Sequence, residues 1–344
     1  ESLIRHYNIP IFMPERACPF QCIFCDQQKI TSQLSTPNYQ EITHNIEQYL
    51  AHIPEINTAV QVAFFGGTFT GIPMTEQRSY LQIVQPFIQS RKVEGIRIST
   101  RPDYINQPNL ELLKEMGVTH IELGAQSLVD HVLAASYRGH NSEQVKLASE
   151  LIKANGFVLG LQMMLGLPGD SPKFALETAQ KIIDLGAEET RIYPTLVIKG
   201  TALEQLMQKS KYIPMTTEVA IIQSAQLYQL FEEHQIKVLR VGLYPDEDLL
   251  NNEVIAGPDM KNFKEKVMTH IWSQRLNSLL EMGKEKKFNK ALKNNIIIHV
   301  APNQLNFAIG FQASNRKALM RVYNTVKFKA NPSFTNQQFD AHYI

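Results

Sequence analysis

Cysteine is scarce in this chain, and the scarcity is patterned. Only three of the 344 residues are Cys, and all lie between positions 18 and 25. An odd count argues against a disulfide framework, and a chain of this length builds a core without staples. Long apolar runs are also missing: no stretch of about 18 apolar residues occurs, so no membrane partner is expected. The opening ESLIRHYNIPIF has no basic segment followed by a long apolar one, so no secretory leader is expected. Cysteines in a chain without such a leader point to the cytoplasm. Net charge is nearly absent, at +1, but it is a sum of opposites. Residues 261–344 carry 14 Lys+Arg against 4 Asp+Glu, a net +10 that leaves the preceding body at −9. A basic appendage on an acidic body suggests a polyanionic partner; the alternative is a solvated lysine-rich surface.

With 44% hydrophobic and 19% charged residues, the composition is that of a globular enzyme. Apolar strands alternate with helical patterns over the first two thirds. Strands are expected at 9–14, 59–65, 95–100, 119–124, 157–164 and 189–195, with helices between them. Alternation of this kind predicts an α/β fold with a parallel sheet, and six units suit a partial (β/α)6 barrel. Loops after the strand C-terminal ends would then build the site. The sequence suggests a division into residues 1–245, the partial barrel, and 246–344. The latter, read as a small basic α+β appendage, contains a βαβ pattern over 295–330.

The segment RACPFQCIFCDQQ holds Cys18, Cys22 and Cys25 at C-x3-C-x2-C spacing. Three thiolates within eight residues can converge on one inorganic centre. A closed zinc site or a sealed iron–sulfur cluster takes four protein ligands. Three leave one position open, unless His6 or His44 completes a zinc site. The spacing, the count and the N-terminal placement resemble the radical S-adenosylmethionine (radical SAM) superfamily. That resemblance implies a 4Fe-4S cluster on the three cysteines, with S-adenosylmethionine (SAM) on the open iron.

Further segments carry the resemblance along residues 9–245. Gly66-Gly67-Thr68 follows the second strand in place of the superfamily's glycine-glycine-glutamate segment, with Thr68 replacing the acid. STRPDY (99–104) resembles the Glu-x-x-Pro segment, with Ser99 at the glutamate position. IELGAQS (121–127) and YRGH (137–140) resemble the radical SAM half of the Elongator catalytic subunit and, more distantly, oxygen-independent coproporphyrinogen III oxidase. The resemblance implies that Gln126 and Arg138 face the cosubstrate, Arg138 near its carboxylate. A guanidinium fork matches a carboxylate with two parallel bonds. Gln162, in LQMMLGLPGD, stands where the porphyrinogen oxidases have an aspartate, and Met163 and Met164 beside it read as core filler. Phe24, just before the last cysteine, would lie against adenine. RIYPTLVIKGT (191–201) is nearer the Elongator type. About 100 residues remain beyond the barrel, too few for that subunit's acetyltransferase domain, so no acetyl-coenzyme A chemistry is expected.

The resemblance therefore implies a radical SAM enzyme. One electron from a donor such as flavodoxin or ferredoxin would cleave SAM, and the resulting radical would take a hydrogen atom from substrate. The Elongator-like segments and the basic C-terminal region point to tRNA, with Lys284, Lys286, Lys287, Lys290, Arg316, Lys317 and Arg321 on phosphate. A small-molecule or tetrapyrrole oxidase is the alternative enzyme. An iron–sulfur protein that binds RNA or transfers electrons without cleaving SAM is the alternative of another class. No catalytic acid, base or radical relay can be named from the sequence.

Overall fold

A computed structural model describes residues 5–13, 22–26, 35–54, 56–243, 252–287 and 295–343. Cys18 and Lys290 lie outside them. The chain divides into two compact units, residues 1–216 with 230–258, and residues 217–229 with 259–344.

The first unit is built on seven parallel strands. They are β1 (Arg5–Phe12), β2 (Thr58–Phe65), β3 (Gly95–Thr100), β4 (Val118–Gln126), β5 (Val158–Leu165), β6 (Glu189–Pro194) and β7 (Lys237–Val241). Spatial order equals chain order, from β1 at one edge to β7 at the other. Crossover helices α1 (Tyr39–His52), α2 (Met74–Gln89), α3 (Gln107–Glu115), α4 (Asp130–Ala135), α5 (Ser142–Ala154) and α6 (Pro172–Asp184) join the first six strands. This is an α/β curled half-barrel, and β7 adds a seventh strand to the six that the alternation predicts. A short ribbon pairs Val197–Ile198 with Val254–Ala256, which ties the segment after β7 to the first unit.

Local chemistry sets the helix starts. Asn38 and Asn141 each close a capping box, with Glu41 and Gln144 as the reciprocal partners of α1 and α5. Ser171 caps α6, with Pro172 at the first helical position, where its missing N–H has no cost.

The strands are two-faced, and this positions the site. Val62 and Phe64, Ile96 and Ile98, Ile121 and Leu123, Leu159 and Leu161 are all buried. The alternate residues are polar: Gln61, Arg97, Ser99, His120, Glu122, Gln162, Glu189, Arg191 and Tyr193. Successive side chains on a strand point to opposite faces, and parallel strands covered on both faces are usually apolar throughout. All of these but the buried Glu122 line a cavity of about 1020 Å3 inside the half-barrel.

The second unit has its own core, with Trp272, Ile296, Ile298, Val300, Leu319 and Val326 buried together. Its sheet runs β9–β8–β10, where β8 (Asn295–Val300) pairs parallel with β9 (Thr325–Ala330) and antiparallel with β10 (Phe339–Tyr343). The indole N–H of Trp272 donates to Gln304 Oε1 at 3.1 Å, so the buried ring leaves no orphaned donor.

Candidate active site

The site lies where the strands of the first unit end. Cys22 is buried and Cys25 half-buried, in a loop whose Cys25 N–H donates to the Cys22 carbonyl at 3.0 Å. The loop is anchored by Leu203 N–H, which donates to Ile23 O at 2.8 Å. It is also anchored by packing of Cys22, Ile23 and Phe24 against Val129, Val132, Leu167 and Leu203. Cys22, Cys25, Phe24, Gly66, Gly67, Ser99, Gln126, Arg138 and Gln162 all line the one cavity.

Backbone geometry explains several residue choices. Gly66 and Gly67 have φ of +82° and +54°, a conformation that favours glycine and brings bare backbone to the cavity wall. Gln126 sits at φ +65° beside a register shift between β4 and β5. Bulges and left-handed non-glycine residues recur at functional sites, where they re-aim a side chain. Thr68 is placed differently from its neighbours. It is buried, starts a 3₁₀ turn by accepting from Gly71 N–H at 2.9 Å, and is not among the cavity-lining residues.

Below the rim is a buried charge network that motif matching does not reveal. Glu122 is in the body of β4. Arg191 Nε lies 2.6 Å from its Oε1, Arg97 Nη1 lies 3.6 Å from its Oε2, and the Gln162 amide donates to it. Arg97 also pairs with Glu189 at 2.6 Å. Arg191 lies over the Phe65 ring, 5.0 Å from its centroid, and donates to Tyr193 Oη at 3.4 Å. Burial works against the charge on Glu189, but the hydrogen bond and charge of Arg97 outweigh it and hold that carboxyl below its ordinary range. The sequence signal for this network was the run of charged residues at alternate positions in otherwise apolar strands.

His6, a candidate fourth zinc ligand, is near the N-terminal end of β1, six residues and about 20 Å of strand from the rim. His44 lies on α1, exposed and off the cavity wall. Neither is placed to complete a site with Cys22 and Cys25.

The residues present fit an iron–sulfur cluster with a nucleoside cosubstrate. Two described thiols share a cavity with an aromatic side chain and exposed glycine backbone. The buried Ser99 Oγ and Gln126 Oε1 have no hydrogen-bond partner of their own. Buried polar atoms are normally satisfied, so such orphans mark a place for a ligand. Small-molecule sites are typically about 300–1,000 Å3, which leaves room here for a cosubstrate and part of a substrate.

Comparison with known proteins agrees. The profile of the radical SAM superfamily matches residues 14–182, and that of the radical SAM C-terminal domain matches residues 187–272. The chain belongs to the radical SAM superfamily. Radical SAM proteins carry a 4Fe-4S cluster and SAM, and this chain is an enzyme of that type. It is 26% identical over 233 residues to a tRNA uridine(34) acetyltransferase of Dehalococcoides mccartyi, covering 57% of this chain and 50% of that protein. It is 26% identical to Elongator complex protein 3 of Saccharomyces cerevisiae, covering 68% of this chain and 44% of that protein. The chain thus spans half or less of the length of these curated relatives. A solved structure of Elp3 from the archaeon Methanocaldococcus infernus, with an N-terminal deletion, has the same fold. Its TM-score is 0.63 at 20% identity, covering 80% of this chain and 64% of that one.

One buried and one half-buried histidine give the radical SAM unit a pH dependence. Burial lowers the His140 pKa to about 3, helped by the nearby Arg138 charge; its Nε2 donates to Ala125 O at 3.2 Å. Burial, with Arg97 next in effect, lowers that of His120 to about 4. Both folded values lie below the ordinary 6.5, so the unfolded chain binds more protons at mildly acid pH. Stability is full above pH 6.5 and falls as pH drops towards 4, by up to about 1.4 kcal/mol per pH unit for each group. Urea midpoints measured from pH 7 to 4.5 should fall, and His120→Gln/His140→Gln should flatten the curve. An equally steep curve in the double variant would assign the effect elsewhere.

Proposed function

We propose that this radical SAM enzyme modifies tRNA, with hydrogen-atom abstraction in the half-barrel and phosphate contacts from the C-terminal region. The observation that carries this is the match to tRNA uridine(34) acetyltransferases along the barrel, in a chain whose last 84 residues are strongly basic. When bound, the cluster and SAM supply a one-electron carbon–sulfur cleavage and a hydrogen-atom acceptor. The chain's own residues bind and orient. Cys18, Cys22 and Cys25 hold the metal, Gly66 and Gly67 present backbone, and Gln126 and Ser99 offer hydrogen bonds to the cosubstrate. Phe24 supports its adenine, and Glu122 fixes the direction of the Gln162 amide. The half-barrel wall excludes water from the reacting centre. An external one-electron donor, flavodoxin or ferredoxin in chemical type, completes the system.

In this reading residues 1–245 carry the chemistry and 246–344 the basic appendage. Arg316, Lys317 and Arg321 are exposed on and just after the helix Ser314–Leu319, and Lys327 and Lys329 are exposed on β9. Lys284 is exposed and paired with Glu281 at 2.8 Å. The side chains of Lys286 and Lys287 lie outside the described residues.

The test is anaerobic reconstitution followed by dithionite and SAM, with and without total tRNA. 5′-Deoxyadenosine should form, and faster with tRNA. Binding should weaken with salt, with a log–log slope of about −0.7 per neutralised phosphate on single strands. Arg316→Ala/Lys317→Ala should shallow that slope. Salt-insensitive binding, or none to total tRNA at low salt, would remove tRNA as the partner.

A further inference from the structure

One buried guanidinium spans the cysteine loop and the end of β4. Arg138 is 8% exposed. Its Nη1 donates to Cys22 Sγ at 3.3 Å, and its Nη2 donates to the Gly124 carbonyl at 2.7 Å. Both flanks are fixed. Arg138 N–H donates to Leu133 O at 3.0 Å, and Ile23 N–H, beside Cys22, donates to Ser136 O at 3.4 Å. Glycine at position 124 leaves the guanidinium its place, because a Cβ there would lie 2.7 Å from Nη2 and push it aside. The guanidinium is thus held against the sulfur by two backbone segments, in a space that glycine at position 124 leaves open.

We infer that Arg138 is a positioning and tuning residue for the Cys22 thiolate, donating an N–H···S bond that raises the reduction potential of the cluster. The inference rests on the radical SAM reading and goes beyond the carboxylate contact implied by resemblance, since the sulfur contact needs no cosubstrate. Reduction adds negative charge to the cluster and its thiolates. A fixed cation with an N–H aimed at a ligating sulfur stabilises that more negative state. Arginine suits the place because its planar fork bonds a carbonyl and a sulfur at once, and it stays charged at any working pH.

The test is the cluster midpoint potential of the anaerobically reconstituted whole chain, followed by electron paramagnetic resonance without SAM. A wild-type chain that forms no cluster would sink the radical SAM reading, and this inference with it. With a cluster formed, Arg138→Gln should shift the midpoint to more negative values, and Arg138→Lys should shift it less. A wild-type midpoint in fully loaded Arg138→Gln would overturn the inference and leave the radical SAM reading standing. If Arg138→Gln does not load, Gly124→Ala decides. Its methyl displaces the guanidinium without removing the charge, so a negative shift supports the inference and an unchanged midpoint overturns it. A role confined to the cosubstrate would instead weaken SAM binding and leave the SAM-free potential where it was.

Discussion

Cys22→Ala, purified without oxygen, is expected to lose its iron and all formation of 5′-deoxyadenosine while the chain stays folded. The chain has three cysteines for a cluster that leaves one iron open, so it holds no spare thiolate. Changing a residue that only hydrogen-bonds a metal ligand typically costs about 10–100-fold in affinity or activity, and removing a ligand should exceed that. Stability should change far less. Cys22 is buried among Ile23, Phe24, Val129 and Val132, and alanine keeps the backbone contacts of the loop. Deleting one buried sulfur costs about 1 kcal/mol. Cys25→Ala should behave alike in iron content and turnover. Iron analysis, visible absorbance and product chromatography read the first effect, and thermal melting the second. An iron-loaded, active Cys22→Ala would mean that the three cysteines are not the metal site.

Much of the first unit was legible because parallel βα units have a strong rhythm. Apolar residues such as Ile96, Ile98, Ile121 and Leu161 marked the strands. The run IKVLRVGL (236–243) reads as a strand by itself, but its membership of this sheet was not legible. A helix-rich stretch separates it from β6, and nothing local says which sheet a strand joins. The strand β10 lay in a polar terminal stretch, where pairing with β8 overrides weak propensity. The site was legible only at its rim. Glycine pairs and cysteine spacing are local signals, whereas Glu122 meets Arg97 and Arg191 through the strand order. That meeting also explains why such charges sit in otherwise apolar strands. Each lies on the inner face, where the half-barrel encloses a cavity instead of a packed core.

Removing the centre of that network should have the largest effect on stability. Glu122→Ala takes away the carboxylate that faces Arg191 at 2.6 Å and Arg97 at 3.6 Å, and that accepts from Gln162. Neither guanidinium can shed its charge, so each must be solvated or repaired by another partner. Arg97 keeps Glu189, but among the described residues Arg191 keeps the Tyr193 hydroxyl and the face of Phe65. Breaking a buried pair by removing one partner typically costs about 3–5 kcal/mol. No neighbour fills the gap from the adjacent strand, because Gly160 has no side chain there; a Cβ on it would lie 3.1 Å from Glu122 Cγ. Glu122→Gln keeps the volume and one acceptor, so it should cost less, about 1–3 kcal/mol. Replacing both partners, in Glu122→Leu/Arg191→Leu, should recover part of the loss, since an apolar pair leaves no charge stranded. Urea denaturation of the cluster-free chain measures all three. If Glu122→Ala unfolds within about 0.5 kcal/mol of wild type, the network is not a strut of the half-barrel. The single variants should also loosen the Gln162 amide, so SAM affinity should fall in parallel with stability in Glu122→Ala and less in Glu122→Gln.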